Sequence, residues 1–234
     1  MSNNYPMYRQ HGSFLFAILS LVLVLVIVFL FIGVTESAFE AIGFTRAGFA
    51  IILVLTFAGS FINIPLTRVS GTEPIVSFRE VRSFGFTYRV PVTARARVST
   101  QVCINVGGAV VPIFVSGYLL LTHASLAGYI LVGVLVTSVL VHLMARKVRG
   151  QGIVTPALLP PLVAAIIALL LNPGYGVAII AYISGSMGAL IGADLSNLRG
   201  ITNLGAPMVS IGGAGTLDGV FLTGIIAVVL VSIF

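Results

Sequence analysis

The sequence predicts an all-α polytopic membrane protein of about seven transmembrane helices, N-terminus in and C-terminus out, with a cytoplasmic loop of β-hairpin character. Three observations carry that prediction. Of 234 residues, 58% are hydrophobic and only 8% are charged, against about 25% charged in an ordinary soluble domain. Apolar segments long enough to cross a bilayer recur along the chain. Taken alternately, those segments leave the basic residues almost entirely on one side. Twelve Lys and Arg with six Asp and Glu are too few to cover the surface of a soluble protein of this size. A soluble enzyme, a nucleic-acid-binding module and a disordered chain are thereby excluded. The net charge of +6 belongs to loops on the cytoplasmic side of a membrane. The single cysteine, Cys103, excludes an intrachain disulfide framework and a multi-Cys metal site.

A spanning helix needs roughly 20 mostly apolar residues, and seven segments approach that length: 14–34, 46–66, 101–122, 126–145, 157–171, 175–197 and 209–234. The first is too long for a signal-peptide core and has no small-x-small cleavage site after a short one. Between the second and third lies the one long loop, 67–100. There Ile75 to Pro91, IVSFREVRSFGFTYRVP, alternates apolar and polar residues around a Ser83–Phe84–Gly85 break, the pattern of a hairpin. Its arginines suit anionic lipid head groups. The third segment carries a Gly/Pro break, Ile104 to Pro112, in which Gly107 and Gly108 read as a close-packing site and Asn105 as a hydrogen-bonding residue across helices. The fifth opens with Thr155 to Pro161, TPALLPP, whose prolines hold the chain extended. With the N-terminus inside, eleven of the twelve basic residues fall in inside loops and only Arg46 outside. The whole chain, 1–234, reads as one integral membrane domain with 67–100 as a loop insertion, in a multi-pass cell-membrane protein.

The candidate chemistry lies in two acids. Glu36, Glu40, Glu73 and Glu80 sit in loops, but the only aspartates, Asp194 and Asp218, fall inside expected spans. A carboxylate in hydrocarbon costs roughly 2.5–3.5 kcal/mol on the insertion scale, so such groups mark function by default. Asp194 sits in GALIGADLSNL, and Asp218 follows SIGGAGTLDG. Gly212, Gly213 and Gly215 weaken a helix by about 1 kcal/mol each relative to Ala, so the last helix is expected to start near Asp218 after an unwound stretch. Gly188, Gly192 and Ala193 would then face Gly215 and Gly219 across a small-residue interface. Two close carboxylates share one proton. The ionised one activates water, and the protonated one polarises a carbonyl and then gives its proton to the leaving amine. The structural alternative has Asp218 capping its helix and Asp194 paired with Arg199 or Asn197. No His cluster suggests a metal, and no nucleotide fingerprint is present.

The run from Ile153 to the C-terminus, with GADLSNL and SIGGAGTLDG, and the INVGGAVVP stretch resemble a family of prokaryotic membrane proteins built on a domain of unknown function. More distantly, the chain is similar to the presenilin and signal-peptide-peptidase-like intramembrane aspartyl proteases. That resemblance implies catalytic aspartates on helices 6 and 7, here Asp194 and Asp218, and a Pro-Ala-Leu element beside the site, here Pro156, Ala157 and Leu158. Ala193 stands where that family has Tyr, Leu217 precedes Asp218 in place of glycine, and Pro156–Leu158 come before the fifth helix.

The expected function is an intramembrane aspartyl protease acting on single-span membrane proteins, with no cofactor, no metal and no nucleic-acid partner. Asp194 and Asp218 would be catalytic, with Pro156, Ala157, Leu158, Gly213 and Gly215 at the substrate. The alternatives are a cation or proton transporter or channel using the same aspartates, and a non-catalytic structural membrane protein.

Overall fold

The computed structural model describes residues 12–83, 86–148, 152–172, 174–198, 207–213 and 219–233. An uninterrupted run of Leu, Val, Ile and Phe makes α1 (Gly12–Ala41) a single helix of 30 residues. α2 (Arg46–Ser60) starts at Thr45, whose hydroxyl accepts the Gly48 N–H and satisfies one of the donors a helix start leaves open. β1 (Asn63–Ser83) and β2 (Phe86–Asn105) form one long antiparallel ribbon, in register from Asn63↔Asn105 to Ser83↔Phe86 with a bulge between Pro65 and Thr67. A π-helical turn, Val106–Val110, leads into α3 (Val111–Thr122). α4 (Ala127–Met144) is followed by a short hairpin, β3 (Arg146–Val148) and β4 (Gly152–Val154). α5 (Leu159–Leu171) carries Pro160 and Pro161 in its first turn, where a missing N–H breaks no helical bond. α6 (Val177–Ala189) runs on as a π-turn, Leu190–Asp194. β5 (Met208–Ile211) pairs in parallel with Gln101–Ile104 of β2, and α7 (Gly219–Val231) follows.

The all-α expectation is therefore corrected. Among the described residues there are five strands in two sheets, ordered β1-β2-β5 and β3-β4. The seven-span expectation falls with it. Among the described residues three helices are long and apolar enough to cross a membrane: Phe16–Ala41, Ala124–Met144 and Val177–Leu198. The other four apolar helices have 10–17 residues. Residues expected to finish or begin spans, 63–66, 101–105 and 209–211, are strand instead. Short apolar runs rich in β-branched residues read alike as buried helix or buried strand, and here cross-strand pairing decides. The three long apolar helices nonetheless make this a membrane-associated protein. The hairpin pairing over 75–91 is present, but the ribbon extends well beyond it at both ends. Its turn, expected at Phe84–Gly85, lies outside the described residues.

α6 is the axis of the body. From Ile179 to Ser186 every side chain is buried. Small residues let its neighbours close in: Ser184 lies against Gly133 of α4, Gly188 against Thr137, and Gly185 against the backbone of Thr223 and Gly224 in α7. At one end an aromatic cluster of Phe39, Phe44, Phe49, Tyr182 and Phe221 fastens the last turns of α1 to the rest.

Candidate functional site

The site forms where the regular parts of three helices stop. α5, α6 and α7 each have 13 residues, about 20 Å at 1.5 Å per residue. The π-turn Leu190–Asp194 carries α6 further. Gly185 meets Gly224, and Ala189 and Ala193 share a cavity with Thr223, Val220 and Gly219, so α6 and α7 run in opposite directions. Asp194 thus lies about one turn past the level at which α7 begins. It is half-buried at the side of a cavity of about 210 Å³, closed by Thr155 and β4 on one side and by Met208–Ile211 on another.

A π-turn leaves carbonyl groups without their usual helical donors, and the residues after it collect them. Ser196 donates to the Gly192 carbonyl at 2.6 Å. The Asn197 amide donates to Gly192 at 3.2 Å and to Ala193 at 2.9 Å. His142, at the end of α4, lies 2.7 Å from the Ser196 hydroxyl through Nδ1. The Asn197 amide nitrogen lies 3.3 Å from the same Nδ1. This network fixes the turn that aims Asp194.

On the facing side the Asp194 carboxylate accepts the Gly212 N–H at 2.7 Å, a charge-assisted bond. Gly212 has a positive φ of 79°, and a Cβ there would collide with Ala109 and the Gly108 backbone at 2.6–2.7 Å. Only glycine satisfies both demands. Gly213 repeats the left-handed conformation with φ 85°. The Val106–Val110 turn beneath Gly212 is itself anchored. Asn105 donates to the Ser60 carbonyl at 2.7 Å and to Asn63 Oδ1 at 3.1 Å, and accepts the Gly108 N–H at 2.7 Å. Ser210 of β5 donates to the same Asn63 oxygen at 2.6 Å. One chain of contacts therefore runs from α2 through the ribbon root to Asp194.

Of the residues singled out from sequence, Asp194 and Gly213 line the cavity. Pro156, Ala157 and Leu158 do not. They directly follow Thr155, which does, and Leu158 is exposed. Asp218 and Gly215 lie outside the described residues. Gly219, bonded to Asp218 in the chain, lines the cavity. One expectation is corrected: Gly188 and Gly192 face Thr137, Ser138 and Val141 of α4, not α7. Asn197 binds backbone carbonyls instead of Asp194, and Arg199 lies outside the described residues. Sequence reasoning missed Ser196 and β5. The i to i+4 pairs Gly192–Ser196 and Ala193–Asn197 were the available signal for the π-turn network. Among the described residues no group of three or more His, Cys, Asp or Glu is placed to hold a metal.

A family model described as a protein of unknown function, DUF1614, matches residues 57–230. The chain belongs to this family. The DUF1614 stretch takes in every residue lining the cavity and the whole ribbon, while α1 and most of α2 precede it. No curated protein and no solved structure matches the chain.

Proposed function

We propose that this DUF1614 protein is a multi-pass intramembrane aspartyl protease, with Asp194 and Asp218 sharing one proton at the cavity. The observation that carries the reading is a half-buried carboxylate in a cavity that also receives Gly219, the neighbour of the only other aspartate. Its depth supports the same reading. The helix Val177–Leu198 has 22 residues, about 33 Å, which suffices for a hydrocarbon core of about 30 Å. Asp194 stands four residues from the end of that helix. It lies beyond the ends of α5 and α7 but still near the edge of the membrane interior. Water and a membrane-embedded peptide can meet at such a place.

The ionised carboxylate takes a proton from water as the water attacks the scissile carbonyl. The protonated one hydrogen-bonds the carbonyl oxygen and later gives its proton to the departing amine. The Gly212 N–H orients the Asp194 carboxyl group. Pairing of the substrate is supported by β5. It lines the cavity, and among the described residues only β2 pairs with it. Its other edge is available to an extended backbone, as in strand addition.

The test is cleavage of a single-span membrane substrate by the full chain reconstituted in vesicles. The parent should cleave, with a bell-shaped pH profile, since one carboxyl must be charged and one neutral. Asp194→Asn and Asp218→Asn should each lower the rate by at least about 100-fold. A parent that cleaves nothing at any pH, but moves protons or cations and loses that flux in both variants, would assign the same carboxylates to transport.

A further inference from the structure

The distal half of the β1–β2 ribbon, Val76 to Val92, has no other element laid on it among the described residues. β5 joins only at the root, beside Gln101–Ile104. The register fixes which side chains share a face, since successive residues of a strand point to opposite sides. Pairs Val81↔Tyr88, Ser83↔Phe86 and Arg79↔Val90 put Val81, Phe86, Tyr88 and Val90 on one face together with Arg79. Phe86 is 67% exposed and Tyr88 56%, with their rings 6.5 Å apart. On the opposite face Glu80 takes up Arg89 at 3.0 Å. Arg79 and Arg82 have no carboxylate partner among the described residues.

Such a strip is poorly matched to water. Contiguous exposed apolar side chains rimmed by charge mark an interaction surface. Aromatic rings interleaved with arginine make up the composition that settles at the boundary of a bilayer. The ribbon is rooted in the membrane-associated body through Asn105, Asn63 and the Val106 N–H to Ile62 bond. A bilayer is therefore the apolar phase always at hand. The uncompensated charge is positive, and it selects the sign of the surface.

We propose that the distal ribbon docks on anionic lipid head groups of the bilayer that holds the helices. Val81, Phe86, Tyr88 and Val90 seat at the head-group level, and Arg79, on the same face, engages phosphate. The long arginine stem lies along the apolar strip while its head stays in the wet layer. This inference is independent of the protease reading, because it uses neither aspartate.

The experiment uses the full chain in vesicles of phosphatidylcholine, with or without phosphatidylglycerol. An environment-sensitive dye is placed through Tyr88→Cys or, on the other face, Thr87→Cys. Cys103 is buried and stays unlabelled. With phosphatidylglycerol the dye at 88 should shift to the blue and be quenched by lipids spin-labelled near the head group. The dye at 87 should respond much less. Arg79→Gln should weaken docking about fivefold, the effect of one basic residue near an anionic surface, Arg82→Gln on the opposite face should weaken it less, and added salt should act in the same direction as Arg79→Gln. Water-like emission at 88 in both vesicle types would overturn the proposal and leave the strip for a macromolecular partner. Equal docking in both vesicle types would overturn the selection for anionic lipid.

Discussion

α1 and α6, the latter counted with its continuation through the π-turn to Leu198, are both long enough to cross a membrane, yet they are opposites. The most apolar stretch of α1 has none of its residues buried by protein, whereas 72% of the corresponding stretch of α6 is buried. α4 lies between them at 33%. Hydropathy falls along the same series as burial rises. In water the order would be reversed, because the hydrophobic effect drives apolar side chains inside. In lipid no such force pulls one apolar helix onto another, and close packing of small residues takes over. α6 accordingly spends its sequence on Ser184, Gly185, Ser186, Gly188 and Gly192, while α1 is Leu, Val, Ile and Phe from Phe14 to Ile32 with few exceptions. The most apolar of the three long helices contributes least to the interior.

That contrast can be broken by substitution, with stability read from the temperature at which Cys103, buried and the only cysteine, becomes reactive to a fluorogenic thiol reagent in detergent. Gly192→Val should have the largest effect. A Cβ there meets the Ser138 carbonyl oxygen at 2.4 Å, a backbone atom that cannot swing away, so a loss of about 3 kcal/mol or failure to fold is expected. Asn105→Ala comes next, at about 2 kcal/mol, because it strands buried partners at Ser60 and Gly108. Gly133→Ala should cost about 1–2 kcal/mol through contact with the Ser184 hydroxyl. Ser184→Ala should relieve part of that loss in a double-mutant cycle. Alone, Ser184→Ala should be neutral or mildly stabilising, since its hydroxyl has no hydrogen-bond partner among the described residues. Leu23→Ala on α1 should change stability by less than about 0.5 kcal/mol. If Leu23→Ala instead costs as much as Gly192→Val, α1 is packed against protein, and the comparison fails.

Much of the site was legible because it rests on glycine chemistry. Gly212 and Gly213 announced a break, and the structure has both in the left-handed region with α7 starting at Gly219. Asn105 was readable as a buried hydrogen-bonding residue, and Gly107 as a point of close approach: a Cβ there would lie 2.0 Å from the Thr56 carbonyl oxygen. The alternation in 75–91 marked the ribbon. The remainder was hidden for a definite reason. MVSI of β5 and QVCIN at the end of β2 each flank a helix with residues equally at home inside one. MVSI is held as a strand by pairing with QVCIN, more than 100 residues away in the chain, and QVCIN also by pairing with the start of β1. No local pattern records such a pairing. The partners of Gly188 and Gly192 were misassigned for a related reason. A stripe of small residues signals that some helix comes close without specifying which, and α4 takes the place expected of α7.

One short helix carries a further consequence. α5, at 13 residues, is about 10 Å too short for a bilayer core of about 30 Å. Lipid beside it must thin, or polar head groups must dip, to meet its ends. The cavity mouth is then set in a dimple of the membrane. A lipid or peptide drifting along the bilayer would meet a hydrophobic slab that grows locally shallow there. Membrane thickness becomes a variable to which this protein is tuned: thicker, more ordered bilayers would resist the dimple, and thin ones would accommodate it at little elastic cost.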